Sequence, residues 1–289
     1  MARTIAVLLC LVPALWGARI EEKQTIRKTF PAAAQVEVDN VNGAVIVKGS
    51  DVREIRVTAN ETISADTKEL IEQARSEVKL DMTESGNKLR VYADGPFRGH
   101  NMTESGNKLR VYADGPFRGH NSGDRDYNVR YDIEIEAPRD SAMFLRTING
   151  RINVADIAAG YDVKTINGRV DLENMAAAGR AYSLNGGVKA TFRANPREES
   201  YFGALNGSVD LYFQPGLAAD VSVKTMHGEV SSDFPFTMLP AAASVEREGG
   251  RNVYRSNRST NVRIGSGGPA IKLETLNGNI GILLWEGVK

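Results

Sequence analysis

The dipeptide Asn-Gly recurs along the chain at nearly regular intervals, and this repeat constrains the fold more than any other feature of the sequence. Between positions 149 and 227 the intervals are 18, 18, 21 and 21 residues. One such unit is too short to bury an apolar face alone, whereas stacked units can bury a continuous core. The repeated dipeptide, with His-Gly once in place of Asn-Gly, lies at Asn42, Gly43, Asn149, Gly150, Asn167, Gly168, Asn185, Gly186, Asn206, Gly207, His227, Gly228, Asn277 and Gly278.

The residues that flank the dipeptide are repeated as well. Thr-Ile-Asn-Gly-Arg-Ile-Asn-Val at 147–154 is followed by Thr-Ile-Asn-Gly-Arg-Val-Asp-Leu at 165–172, and Thr-Leu-Asn-Gly-Asn-Ile-Gly-Ile stands at 275–282. After each glycine, apolar and polar residues alternate, which is the pattern of a strand with one buried face. Each repeat therefore predicts two short strands joined at a corner, where glycine permits a positive φ.

The repeated polar side chains have a structural interpretation. Stacked corners would place the asparagines over one another as a hydrogen-bonded ladder, and we expect Asn167 and Asn185 to be buried in it. A column of hydroxyl side chains runs parallel to the asparagines, two residues earlier in each repeat. It consists of Thr147, Thr165, Ser183, Thr225 and Thr275.

Several repeat architectures have periods near 20 residues, and the sequence separates them. The L-x-x-L-x-L pattern of leucine-rich repeats and the G-G-x-G-x-D pattern of calcium-binding nonapeptides do not occur, and a propeller blade needs about twice the length. The sequence therefore predicts an all-β chain, a β-solenoid resembling a single-stranded β-helix, with one α-helix in its N-terminal half. A plain sandwich of two sheets is the alternative.

The N-terminal part departs from the repeat. Alternating patterns predict strands at 35–39, 44–48, 54–62 and 129–137. Residues 65–78 predict a helix that begins after Ser64 or Asp66 and covers an edge or end of a sheet. We therefore divide the chain into a leader at 1–18, an N-terminal β region at 28–140 and a repeat region at 141–289 that is continuous with it.

Residues 82–101 and 102–121 are identical. The first copy predicts a β-hairpin in which 78–82 pairs with 88–93 across a turn at Gly86 and Asn87. The second copy lacks the strand that precedes the first, so we expect it to form a surplus excursion from the fold.

The first 18 residues have the features of a secretory signal peptide. Arg3 precedes an apolar stretch at 5–16, and small residues precede a polar segment. No other segment is long and apolar enough to serve as a transmembrane anchor. We therefore expect an exported protein of the periplasm, cell surface or extracellular space.

With these residues in view, the chain resembles the bacterial putative-adhesin family, whose repeats carry the same succession of Thr, an aliphatic residue and Asn-Gly before alternating aliphatic residues. The similarity runs over roughly residues 28–285, and 268–282 is especially similar to the family's last repeat. The resemblance implies a secreted or envelope β-solenoid of poorly defined function, sometimes associated with envelope stress. It supplies no catalytic residues. The chain departs from the family at its duplication and at His227.

The charged, aromatic and metal-ligating residues of the sequence favour binding over catalysis. The chain has 36 basic and 36 acidic residues and lacks the basic surface that nucleic acids require. The single cysteine, Cys10, lies in the leader, and the histidines do not form a metal set, so no metal or cofactor is expected. Tyr161, Tyr182, Tyr201 and Phe202 could form an aromatic strip for glycan stacking.

An outward-facing polar column is the one feature that could support catalysis. It consists of Asn153, Asp171, Lys189, Asp210 and Ser231. Asp171 and Asp210 would lie about 10 Å apart, near the outer limit for an inverting glycosidase. The sequence therefore favours a non-enzymatic protein that contacts an envelope protein or a surface glycan, as adhesin, scaffold or stress-system partner. The alternative is a polysaccharide-active β-helix enzyme, a lyase or glycosidase.

Overall fold

The computed structural model describes residues 10–11, 19–94, 100–105, 108–113, 127–240, 243–248, 251–256 and 259–287. The elements before residue 140 are β1 (Cys10–Leu11), β2 (Ile20–Pro31), β3 (Gln35–Asp39), β4 (Val45–Ser50), β5 (Glu54–Ala65), α1 (Lys68–Glu77), β6 (Lys79–Ser85), β7 (Lys88–Asp94), β8 (His100–Ser105), β9 (Lys108–Ala113) and β10 (Tyr127–Pro138).

The strands after residue 140 are β11 (Ala142–Asn149), β12 (Ile152–Ala155), β13 (Tyr161–Asn167), β14 (Val170–Met175), β15 (Gly179–Asn185), β16 (Val188–Phe192), β17 (Ser200–Asn206), β18 (Val209–Phe213), β19 (Ala219–Lys224), β20 (Val230–Ser232), β21 (Phe236–Leu239), β22 (Ala243–Glu248), β23 (Arg251–Ser256), β24 (Thr260–Ile264), β25 (Ala270–Glu274) and β26 (Ile280–Leu284).

Two mixed sheets of eleven strands each contain most of these elements. Sheet A has the order β1-β2-β5-β10-β4-β12-β14-β16-β18-β26-β20, and sheet B has the order β21-β24-β19-β25-β17-β15-β13-β11-β3-β7-β6. The pairs β8-β9 and β22-β23 form two small sheets of their own. The prediction of an all-β chain with one helix is confirmed for the described residues.

Each repeat contributes its first strand to sheet B and its second strand to sheet A. Equivalent strands of successive repeats pair in parallel and in register, with Thr147 beside Thr165 in sheet B and Val154 beside Leu172 in sheet A. The apolar residues after each glycine face inward and are buried, as the alternation predicts; they include Ile152, Val154, Val170, Leu172, Val209, Leu211, Ile280 and Ile282. The two sheets therefore share one apolar core between their inner faces.

The order of the repeats in space differs from their order in the chain. Strands β25 and β26 of the final repeat lie between the β17/β18 repeat and the β19/β20 repeat, instead of at the end of the sheets. The reversal follows from β24, which pairs antiparallel with β19 and turns the chain back toward the centre. The segment that precedes β25 contains β21, which pairs antiparallel with β24, and the β22-β23 hairpin, which forms a separate sheet.

Helix α1 begins later than predicted, and neither Ser64 nor Asp66 is its N-cap. Strand β5 continues to Ala65 because it pairs along its length with β2 and β10, so Ser64 belongs to a strand. Thr67 caps the helix instead, and its hydroxyl accepts a hydrogen bond from the Leu70 amide at 3.3 Å. The helix packs on β5 and β10 at the N-terminal end of the two sheets.

Only the first copy of the duplicated segment joins a large sheet. Strands β6 and β7 form the predicted hairpin, and β7 pairs in parallel with β3. Strands β8 and β9 of the second copy pair with each other in the same register, in a sheet of their own. Within the described residues, one copy is therefore part of the framework and the other is additional to it.

Candidate functional site

The corner asparagines form a continuous ladder. The spatial order is Asn42, Asn149, Asn167, Asn185, Asn206 and Asn277, and from Asn149 onward each side-chain amide donates to the side-chain oxygen of the preceding asparagine over 2.7 to 2.9 Å. His227 occupies the next layer through a backbone bridge to Asn277. The ladder that the repeats predict is present, with Asn277 inserted ahead of the His227 layer.

The prediction that Asn167 and Asn185 are buried is wrong, because both side chains are exposed. The corner glycines explain why. A Cβ on Gly168 would lie 2.0 Å from the carbonyl oxygen of Gly150, so backbone of the adjacent layer fills the inside of the corner. Space for a side chain remains only on the outside.

Glycine was expected at the corners because it permits a positive φ, but the close approach of adjacent layers gives a different reason. Of the seven corner glycines, only Gly43 and Gly186 have positive φ values in the structure. Every one of the seven meets backbone within 2.2 Å of a Cβ position. Close approach of neighbouring layers, rather than a left-handed conformation, therefore requires glycine at most corners.

The hydroxyl column is the buried part of the corner. Thr165 donates to the Gly150 carbonyl at 2.8 Å, and Ser183 donates to the Gly168 carbonyl at 2.7 Å. The corresponding contacts in the other layers are Thr147 to Gly43, Thr275 to Gly207 and Thr225 to Gly278. Both repeated polar columns therefore serve the framework, and neither presents reactive groups in a cavity.

A groove of about 550 Å³ lies on the outer face of sheet A, across strands β12, β14 and β16. Its lining residues are Asn153, Arg169, Asp171, Leu172, Glu173, Asn174, Lys189, Thr191 and Trp285. A bulge between Leu172 and Met175 interrupts the floor, and Asn174 within it has a φ of 54°. Bulges of this kind re-aim side chains next to binding sites.

Three residues of the predicted outward column, Asn153, Asp171 and Lys189, line this groove. Asn153, Asp171, Lys189 and Asp210 stand side by side on neighbouring strands, and Gly281 of β26 separates Asp210 from Ser231. Lys189 therefore lies between the two carboxylates that were considered as a catalytic pair. Asp171 also accepts a hydrogen bond from Arg169 Nε at 2.8 Å.

Two aromatic residues extend the groove toward the C-terminus. The rings of Tyr212 and Trp285 are 6.1 Å apart in a T-shaped arrangement, and Lys189 Nζ lies 5.2 Å from the Tyr212 ring centroid. The backbone amide of Trp285 donates to the Phe213 carbonyl at 2.8 Å, which ties the C-terminal segment to β18. The sequence analysis did not single out Trp285, because this residue follows the last repeat; the chain has one other tryptophan, Trp16.

The predicted aromatic strip is present only in part. Tyr161 and Phe202 are buried in the core. Tyr182 and Tyr201 lie on the outer face of sheet B, where both pack over Gly203. Burial, with Glu274 nearby, raises the pKa of both phenols. These two tyrosines therefore cover a glycine in the sheet and do not join the groove on sheet A.

Two kinds of site do not occur among the described residues. No group of three or more His, Cys, Asp or Glu residues is arranged to hold a metal ion in that part of the chain. No helix in the same ranges has the length and apolar character needed to cross a bilayer.

Comparison with known proteins gives distant structural similarities. No protein-family model matches the chain, and no curated protein matches it. A putative cell adhesion protein from Clostridium sporogenes is 13% identical, with a TM-score of 0.43, over 92% of this chain and 100% of that one. A putative adhesin from Bacteroides fragilis is 9% identical, with a TM-score of 0.29, over 90% and 97%.

A putative lipid binding protein from Parabacteroides distasonis is 10% identical, with a TM-score of 0.23, over 89% of this chain and 96% of that one. Similarities at these identities and TM-scores do not establish a family. Membership of the putative-adhesin family therefore stays a prediction from the repeats.

Proposed function

We propose that this chain is an exported, non-enzymatic binding protein that acts by surface contact at the bacterial cell envelope. Its framework, on this proposal, is a β-solenoid, because each repeat gives one strand to each sheet and successive repeats pair in parallel register. Such a framework holds side chains in fixed rows about 4.8 Å apart. The signal-like leader at 1–18 supports export.

The groove on sheet A is the binding site in this proposal, and a surface saccharide is its ligand. Its volume of about 550 Å³ falls within the range of about 300–1,000 Å³ that is usual for small-molecule sites. Trp285 offers an aromatic surface for the C–H face of a sugar ring. Asn153, Asp171 and Lys189 offer hydrogen-bond donors and acceptors for its hydroxyl groups.

The charges of the groove favour an uncharged saccharide over a polyanion. Arg169 and Lys189 are balanced by Asp171 and Glu173, so the lining carries no net charge. Asn153 Oδ1 is buried and has no hydrogen-bond donor among the described residues. A sugar hydroxyl that reached this oxygen after a small rotation of the side chain would satisfy it.

The arrangement of the carboxylates is the observation that carries the choice of binding over catalysis. A glycosidase needs one carboxylic acid and one carboxylate facing each other across the scissile bond. Here Lys189 lies between Asp171 and Asp210, and Arg169 holds Asp171 as a hydrogen-bond acceptor. These contacts suit fixed polar recognition of hydroxyl groups.

Fluorescence titration tests the proposal directly, because Trp285 is the only tryptophan outside the leader. In a Trp16→Phe background, neutral oligosaccharides from envelope material should change the emission of Trp285 saturably, and Asn153→Ala should abolish the change. Tyr201→Phe on sheet B provides the matched control and should titrate normally. Absence of saturation with every glycan, or binding that survives Asn153→Ala, would reject the groove as the site. Capture of an envelope protein at the groove would likewise reject a saccharide ligand.

A further inference from the structure

The C-terminal end of the two sheets leaves inward-facing apolar side chains uncovered. Val230 stands beside Ile280 in parallel register and so occupies a core position, yet Val230 is 48% exposed and Ile280 is fully buried. Phe236 and Met238 of β21 are 52% and 61% exposed. They stand opposite the buried Ile264 and Val262 of β24, so they point toward the same interior. We call β20, β21 and these three side chains the open end.

The sheets stop at different lengths at the open end. The last repeat in space places β19 in sheet B opposite β20 in sheet A, and β20 is the edge of sheet A. Sheet B continues past β19 by two further strands, β24 and β21. Among the described residues, this end is therefore a step two strands, or about 10 Å, deep, where sheet A has no strand opposite the overhang.

The N-terminal end is built differently. There sheet A extends beyond sheet B, and helix α1 packs on the extension with Ile71 and Ala74 fully buried. The edge strand β6 also carries charged residues, Lys79 and Asp81 among them. Covering elements and edge charges are the usual means of preventing strand addition. Strands β20 and β21 contain no charged residue, so these two edge strands lack the protection that edge charges give.

We propose that two copies of this chain join end to end through their open ends, related by a twofold axis parallel to the strands. In this arrangement β21 of each copy pairs with β20 of the other and extends the other's sheet A. The overhang of one copy fills the missing two strands of its partner. The overhang of each copy and the gap in the other copy are both two strands wide. The surface is therefore complementary to itself, as an isologous interface requires.

The dimer would cover the exposed apolar side chains at the open end of each copy. Phe236 and Met238 of the two copies would face each other across the space between the sheets, which is about 10 Å wide. Backbone groups at the edges of β20 and β21 would find partners in the neighbouring copy. An envelope protein with two copies would also carry two grooves, which raises its avidity for a repetitive glycan surface.

Oligomeric state tests the proposal. Sedimentation equilibrium of the purified chain should give a species of twice 31.4 kDa that dissociates on dilution. Met238→Lys puts a charge into the interface and should raise the dissociation constant at least about thirtyfold, as expected for a central interface residue. Met238 is exposed in the single chain, so this variant should fold normally. Thr237→Lys, on the outward side of the same strand, should leave the dissociation constant within about threefold of the original.

Cross-linking identifies which ends meet. In a Cys10→Ser background, a bifunctional thiol reagent with a reach of about 10 Å should join two copies of Met238→Cys and should not join two copies of Lys79→Cys at the N-terminal end. A chain that is monomeric at all concentrations would overturn the proposal. A dimer that is insensitive to Met238→Lys, or that cross-links through Lys79→Cys, would overturn it equally.

Discussion

Thr165→Val tests what holds the corners together. Thr165 is buried, and its hydroxyl donates to the Gly150 carbonyl at 2.8 Å. Valine keeps the shape of the side chain but leaves a buried carbonyl without this donor. The loss should cost about 1–3 kcal/mol of unfolding free energy. Asn167→Ala removes two ladder hydrogen bonds, but at an exposed position where water replaces them, and should cost less than about 1 kcal/mol.

Urea unfolding followed by circular dichroism measures both effects as shifts of the midpoint, provided that the slope is unchanged. Ala204→Ser supplies a complementary test, because Ala204 occupies the position of the hydroxyl column in a repeat that has no polar side chain there. A serine there could donate to the Gly186 carbonyl and should stabilise the fold by up to about 1 kcal/mol. If Asn167→Ala lowers the free energy of unfolding as much as Thr165→Val does, the exposed ladder stabilises the corners as strongly as the buried hydroxyls, and the reasoning is refuted.

Three further perturbations have defined outcomes. Gly168→Ala would place a Cβ 2.0 Å from the Gly150 carbonyl and should cost about 3–5 kcal/mol by urea unfolding, whereas Gly160→Ala has space and should cost less than about 1 kcal/mol. Burial alone would raise the pKa of Asp132, but hydrogen bonds from Arg130 and the Ala44 amide outweigh it, so the pKa is lowered. The stability from this carboxylate should therefore be present above its ordinary value of 3.8 and be lost as the pH falls below it, and Asp132→Asn should flatten that part of the stability curve. Deleting 102–121 should leave the melting temperature equal or slightly higher, because closure entropy grows only slowly with loop length; an unfolded deletion variant would show that both copies belong to the framework.

Much of the framework could be predicted from the sequence because it depends on local patterns. The period-two alternation after each glycine identified the buried positions, and the recurring Asn-Gly dipeptide predicted that the corners of successive repeats stack. The place of the final repeat could not be predicted in this way. It depends on β24 pairing with β19, a long-range contact that leaves no signal in the periodicity. The helix start was also set by tertiary structure, since pairing of β5 up to Ala65 overrode the local capping signal at Ser64.

The candidate site was predictable only where it coincides with the repeats. The outward column from Asn153 to Asp210 follows from the alternation, and three of its residues, Asn153, Asp171 and Lys189, line the groove. The aromatic side of the groove comes from Trp285, which follows the last repeat and has no periodic partner. Exposure of the corner asparagines was missed because alternation along a strand says nothing about how closely the glycine backbones of adjacent layers approach.

On the function proposed above, the groove on sheet A holds a saccharide without altering it. The most direct measurement is mass spectrometry of the glycan recovered from the protein after long incubation with neutral envelope oligosaccharides. The recovered chains should have their original masses and reducing ends, and Asn153→Ala should recover none. Shortened or unsaturated products, formed by the original protein and lost in Asp171→Asn, would instead identify the chain as a polysaccharide-active enzyme.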